Sequence, residues 1–281
     1  MSLIETSLER LRRAANAAKE SGASPGHAPA LARVEAIAAP GPRPVHQRTT
    51  FDLARLRAAG YLPDQDQERR FADYCHRIKR PIIDRALAAG AAEDARLILL
   101  SSALPGDGKT FIALNLALSM ARERDISLLL VDGDLPRFQM SRILGLEHSR
   151  GLLTALQHEE LDVESLVLDT DIPGLEVLPA GGPAEGAAEL ISSARMREIA
   201  VRLTAPNPRR LVLFDSPPLL ISTEARALVQ IPGQIVLVAR AGRTPRQALM
   251  EAIGHLDKKK LVGMVLNDAH VGDEHGYYYA S

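Results

Sequence analysis

Tryptophan is absent from this 281-residue sequence, cysteine occurs once, and aromatic residues make up only 4% of it, as five tyrosines and five phenylalanines. With Cys75 alone no intrachain disulfide can form, which excludes the disulfide-stapled class of small secreted domains and leaves stability to a packed core. No apolar run approaches the roughly 20 residues that a membrane-spanning helix needs. The opening stretch MSLIETSLERLRR puts Glu5 and Glu9 where a secretory signal would carry its apolar centre. These absences point to the cytoplasm and against direct insertion into a membrane. An excess of charge of either sign is missing too. The 34 Lys and Arg against 35 Asp and Glu give a formal net charge of -1, so the overall field offers no reason to expect nucleic acid. His46, His76, His148 and His275 are scattered without metal-ligand spacing, and no structural zinc is expected.

What is present is a hydrophobic fraction of 46% and a charged fraction of 25%, ordinary for one large domain with an appendage. Ile4, Leu8, Leu11, Ala15 and Ala18 recur at helical spacing, with Arg10, Arg12, Arg13 and Lys19 on the remaining surface, so residues 1–20 read as an amphipathic helix able to dock on a partner. Five prolines and three glycines within residues 21–50, among few large apolar groups, mark a flexible linker, drawn here over 21–65. From about residue 66 a polar helix leads into the main domain, with Pro81 expected to kink or divide it. Beyond residue 95 short apolar runs alternate with helical stretches: LILLSS, SLLLVD, LEVLP, LVLFD, QIVLVAR and LVGMVLN. Runs without polar alternation suit strands covered on both faces, which predicts an α/β, doubly wound, mostly parallel sheet. Ligands of such sheets bind beyond the carboxyl ends of the strands, so the residues that follow each run carry most weight.

After LILLSS comes ALPGDGKTF and then the apolar helix IALNLALSMARER. A strand, a glycine-containing turn, Gly-Lys-Thr and a helix form the arrangement in which backbone N–H groups and a helix N-terminus enclose phosphate oxygens, the P-loop. Pro105, Gly106, Asp107, Gly108, Lys109, Thr110 and Phe111 are therefore the nucleotide-binding candidates. Lys109 would meet the β- and γ-phosphates of ATP, and Thr110 would offer its hydroxyl to Mg2+. One departure is Ala103, which stands where the usual spacing has its first glycine. The second run ends LLLVDGDLPR, delivering Asp132 and Asp134, and the fourth ends LVLFDSPP, delivering Asp215. Carboxylates that end buried strands are costly without partners, and a magnesium nucleotide is a partner common to all three.

ALPGDGKT, LLLVDGD and LVLFDSPP, followed by the terminal tyrosines Tyr277, Tyr278 and Tyr279, resemble the nucleotide, second-aspartate and third-aspartate motifs of the bacterial tyrosine kinases that govern exopolysaccharide polymerisation and export. In particular they resemble the exosortase-associated tyrosine autokinases. The likeness extends to LEVLPAGGPAEGAAELISSARMRE, DSPPLLISTEARAL and GMVLN, and so covers residues 66–281, with an echo in SLIETSLERLRRA. The resemblance implies a P-loop NTPase fold of the partition-ATPase-like group, ATP and Mg2+ as cofactors, and transfer of phosphate to the tyrosine cluster between subunits. It implies Lys109, Asp132 and Asp134 as catalytic residues, with Thr110, Asp134 and Asp215 at the metal or its waters and Asp132 facing the incoming phenol. The family's analogy sets Asn267 against the adenine base, whereas a strand-end asparagine by itself reads as a turn residue.

The family carries a Glu-x-x-Arg-x-x-Arg pattern used in packing subunits into a ring; the corresponding positions are Asp73, His76 and Lys79, so the ring is expected to be weakened. Relatives fused to a membrane-spanning chain-length regulator imply such a regulator as a separate activator, which would recruit this chain to the inner membrane. Two other readings of the same residues stay open. A partition or cell-division-site ATPase would carry a signature lysine where this chain has Leu104, and a basic amphipathic terminus where it has DAHVGDEHGYYYAS. The third reading is a nucleotide-binding scaffold without catalysis.

Overall fold

All six apolar runs form strands. The computed structural model describes residues 47–182 and 186–269, so the helix expected within residues 1–20, the linker before residue 47 and the three terminal tyrosines lie outside the described residues. The runs supply β2 (Leu97–Ser102), β3 (Ser127–Asp132), β5 (Leu175–Leu178), β6 (Arg210–Asp215), β7 (Gln234–Arg240) and β8 (Leu261–Asn267). Two further strands, β1 (Gln47–Thr49) and β4 (Leu168–Thr170), complete an eight-stranded sheet of order β1-β4-β5-β3-β6-β2-β7-β8. Every neighbouring pair is parallel except β4 with β5. The two added strands are three residues each and carry Arg48 and Asp169, so neither makes an apolar run.

The helices are α1 (Leu53–Ala58), α2 (Glu68–Ala86), α3 (Lys109–Met120), α4 (Gln139–Ile143), α5 (Leu152–Gln157), α6 (Ala187–Ser192), α7 (Ala194–Thr204), α8 (Thr223–Leu228) and α9 (Arg246–Gly254). Alternate strand residues feed two apolar layers, as a pleated strand requires. Leu97, Leu99, Leu129, Val131, Val212 and Phe214 pack with residues of α5, α6, α7, α8 and α9, while Ile98, Leu100, Leu128, Leu130, Leu211 and Leu213 pack with α1, α2 and α3. Both faces of the central strands are covered, which is why their sequences show no polar alternation.

The linker drawn to residue 65 is shortened by this arrangement. Phe51, Leu56 and Leu62 are buried against the α2 and α3 layer, Phe51 N–H donates to Asp171 Oδ1 at 2.9 Å, and Asp52 caps α1 by accepting from Arg55 N–H at 2.9 Å. Three well-spaced apolar side chains and a cap are enough to hold a segment whose composition reads as tether. Nor does Pro81 divide the helix that contains it: α2 runs unbroken through 19 residues. Pro81 lies on the exposed side, where water can take the carbonyl that its missing N–H leaves unpaired. Among the described residues no helix is long and apolar enough to cross a membrane.

Candidate nucleotide and metal site

The phosphate loop leaves the carboxyl end of β2, the third strand from the β8 edge. Ala103 is fully buried in the α5 to α9 layer, so the methyl group standing in for the usual first glycine fills core space and does not narrow the loop. Asp107 organises the turn through all of its oxygens. Oδ2 accepts from Leu104 N–H at 3.0 Å, Oδ1 from the Thr244 hydroxyl at 2.7 Å, and its carbonyl from Asn267 Nδ2 at 3.0 Å. Asn267, expected at the adenine base, thus gives its amide nitrogen to the loop. Gly106 and Gly108 sit at φ +83° and +92°, the left-handed region that side chains disfavour. A Cβ on Gly108 would lie 2.0 Å from Asn267 Nδ2, so a side chain there would have to push the Asn267 amide aside.

Helix α3 starts at Lys109 with Gly108 as its cap, no side-chain cap bond and no acidic residue in its first turn. Its leading N–H groups and the positive end of its dipole are what a phosphate requires. Phe111 does not aim at a ligand. Its ring packs edge-on against Phe71 of α2, with centroids 5.2 Å apart, leaving only its backbone to the site. Pro105 is exposed on the rim.

Asp132, Asp134 and Asp215 are brought together at the carboxyl ends of β3 and β6, where Asp132 and Asp215 are paired in register and all three are at most 1% exposed. Thr110 Oγ1 donates to Asp215 Oδ2 at 2.7 Å, and Lys109 Nζ lies 3.5 Å from Asp134 Oδ2. Both Asp134 oxygens and Asp215 Oδ1 are buried without a hydrogen-bond donor. The Lys109 contact at 3.5 Å is therefore an ion pair rather than a hydrogen bond. Burial, and then the neighbouring Asp215, pushes the Asp132 carboxyl up to about 7, against the opposing hydrogen bonds from Ser141. Burial raises Asp215 to about 6, with Lys109 and Thr110 pulling the other way.

Asp132 does not face outward toward a phenol. Its Oδ2 accepts from the Ser141 N–H at 2.8 Å and the Ser141 hydroxyl at 2.7 Å, and its Oδ1 from Asp134 N–H at 3.2 Å. Its carboxylate braces the turn that presents Asp134. The Ser141 hydroxyl in turn accepts from Ala180 N–H at 3.0 Å, which ties this brace to the segment after β5. Ser141 and Thr244 carry no local motif. They reach the site from nine and 137 residues along the chain from their partners, and only the folded sheet brings them there.

Oxygen donors of this kind suit a small hard cation. Among the described residues no three His, Cys, Asp or Glu side chains converge as a ready-made metal cage. Mg2+ held partly by phosphates and water does not need one, and the unpartnered oxygens of Asp134 and Asp215 beside the Thr110 hydroxyl fit that mode. Of the ring positions, Asp73 and His76 are exposed on α2, but Lys79 is 7% exposed. It donates to the Ser119 carbonyl at 2.8 Å and pairs with Glu123 at 2.8 Å, so it ties α2 to the end of α3 inside one chain.

No family model matches the chain. Tyrosine-protein kinase YwqD of Bacillus subtilis is 31% identical over 194 residues, which cover 68% of this chain and 80% of that protein. Tyrosine-protein kinase ptk of Acinetobacter johnsonii is 30% identical over 174 residues, 61% of this chain but 23% of that protein. Among solved structures, the kinase domain of VpsO is 28% identical, with a TM-score of 0.56 over 71% of this chain and 99% of that one.

Proposed function

Because the chain belongs to the bacterial tyrosine-protein kinases, we propose that it is an ATP-dependent protein-tyrosine autokinase that phosphorylates Tyr277, Tyr278 and Tyr279 of another copy and thereby regulates exopolysaccharide polymerisation or export. The observation that carries this reading is the set of buried oxygens without a hydrogen-bond donor, both on Asp134 and Oδ1 on Asp215, beside Lys109 and Thr110 at a helix start without a side-chain cap.

Bound Mg2+ would shield the charge of the phosphate oxygens. Lys109 would move from Asp134 to the γ-phosphate, adding fixed positive charge where negative charge builds. Thr110, Asp215 and one oxygen of Asp134 would hold the metal or its waters, leaving the other Asp134 oxygen free. The phenol oxygen bonds to the γ-phosphorus as the bond from that phosphorus to the bridging oxygen breaks, and ADP leaves. The phenol proton, bound with a pKa near about 10, cannot be removed beforehand by a carboxylate. Asp134, whose oxygens carry no internal hydrogen bond, accepts it late, which suffices because such transfers have loose transition states. Asp132 supports this by holding Asp134 in place. A membrane-spanning polysaccharide chain-length regulator is the activator that this reading implies, recruiting the chain to the inner membrane.

The test is incubation of the purified protein with MgATP and mapping of phosphate by mass spectrometry. Wild type is expected to modify the tyrosine cluster. Lys109→Ala is expected to lose about a hundredfold or more of that rate while still folding. ATP hydrolysis without phosphotyrosine would support the partition-type ATPase instead, and nucleotide binding without either would support a scaffold.

A further inference from the structure

The two edges of the sheet are not alike. β1 closes one edge with three residues, of which Gln47 and Arg48 are exposed, the short and charged form that discourages further pairing. β8 closes the other with seven residues, LVGMVLN, that include neither a charge nor a proline. Among the described residues its sheet partner is β7, so its outer side presents a row of backbone N–H and C=O groups that a further strand could take up. Its side chains are left open as well. Met264 and Leu266 stand in register with Leu237 and Ala239 of β7, on the face that the α5 to α9 layer covers over Leu237, yet they are 55% and 61% exposed. Gly263 precedes them, and a Cβ there would meet no atom within 4 Å, so the middle of the strand is an open apolar shelf.

We propose that the outer edge of β8 is the docking site of the chain's own tyrosyl stretch Gly276–Tyr279, which returns antiparallel to it as a ninth strand. The turn this requires has already begun. Asp268, the residue after β8, has φ +57°, the left-handed conformation that hairpin loops use, and its carboxylate is held by Arg240 at 2.9 Å. A loop of about five or six residues starting at Asp268 contains Gly272 and sets Tyr277 opposite Gly263 or Met264. Tyrosine favours strands, and strand side chains alternate, so three in succession put at least one phenol ring on the face of Met264 and Leu266 in any register. A ring there covers the thioether and the isobutyl group while its hydroxyl stays in water. The chain's own stretch is the occupant because so short a tether holds it at an effective concentration on the order of millimolar, which a second copy does not match in dilute solution. The proposal goes beyond the kinase reading, and where that reading holds it gives the tyrosines a resting place between transfers.

Amide hydrogen exchange, read by mass spectrometry without nucleotide, tests this. Every chain is full length and carries Lys109→Ala, which keeps the tyrosines unmodified under any reading of the nucleotide site. The outward amides of β8 are expected to exchange at least about tenfold more slowly than in a chain that adds Tyr277→Gly, Tyr278→Gly and Tyr279→Gly, and the difference should persist on tenfold dilution. Met264→Ser with Leu266→Ser serves as the second variant. It is expected to fold, since both side chains are more than half in water, and to speed exchange of the peptide holding the three tyrosines by a similar factor. Equal exchange of β8 with and without the tyrosines overturns the proposal, as does unchanged exchange of the tyrosyl peptide in the serine pair. Protection that falls on dilution overturns it too, because a second copy would then supply the strand. None of these readouts involves phosphate transfer, so this proposal and the kinase reading fail separately.

Discussion

A carboxylate buried at the end of a core strand has a measurable signature in the ligand-free protein. Asp132 is fully buried, with its carboxyl raised to about 7 from an ordinary 3.8, chiefly by desolvation. Between those values the folded state holds more protons than the unfolded one, so stability falls as pH rises through that window and levels off above it. Each tenfold change in proton affinity corresponds to about 1.4 kcal/mol. Asp132→Asn removes this titration. The stability of the Asn variant minus that of wild type, from urea unfolding without nucleotide or metal, is expected to grow from pH 5 to about 7 and then stay constant. Parallel curves would show that Asp132 is not charged against burial. At this scale the sequence revealed which residues meet: Lys109, Thr110, Asp132, Asp134 and Asp215 all converge. It concealed their roles, because the bond that turns Asp132 inward comes from Ser141, whose position carries no motif.

At the scale of elements, the legible parts were those with a strong local signal. Apolar runs covered on both faces read as strands, and Gly-Lys-Thr between a strand and an apolar helix read as a phosphate loop. The illegible parts were stabilised by distant partners. β1 is three polar-leaning residues recruited by β4, and α1 stays in place through Leu56 against a layer assembled from residues far along the chain. Lys79, which the family pattern suggests for subunit packing, became an internal strut because Ser119 and Glu123 lie at the end of the helix it crosses. The junction of β2 with α3 offers a paired prediction. A Cβ on Gly106 meets no atom within 4 Å, whereas one on Gly108 meets Asn267 Nδ2 at 2.0 Å, and both glycines have positive φ. Gly106→Ala is expected to cost only the torsional strain of about 1–2 kcal/mol. Gly108→Ala should also displace Asn267 from Asp107, lowering affinity for a fluorescent ATP analogue at least tenfold more than Gly106→Ala does. Equal losses would mean that the Asn267 contact does not shape the loop.

Across the whole molecule, the order of strands bears on which copy an acceptor tail is expected to serve. The tail's root at β8 is three strand spacings from β6, or about 14 Å, and the phosphate loop on β2 lies between them. From Asp268 to Tyr277 is nine residues, at most about 30 Å when extended, so distance alone does not forbid modification within one chain. The obstacle is the route: the tail would have to fold across the bound nucleotide and arrive with its phenol oxygen in line with the bond that breaks, a small fraction of its accessible conformations. Transfer is therefore expected to be second order in protein. Tenfold dilution below the concentration at which copies associate should slow the initial modification per chain about tenfold, measured by phosphotyrosine appearance at saturating MgATP. A rate per chain that does not change with dilution would establish transfer within one molecule. The same geometry limits the reaction: each phosphate adds roughly -1.5 to -2 charges near Asp273 and Glu274. A tail so charged is repelled from a site already lined by Asp134 and Asp215, so fully modified protein should sediment as a smaller species than Lys109→Ala at equal concentration.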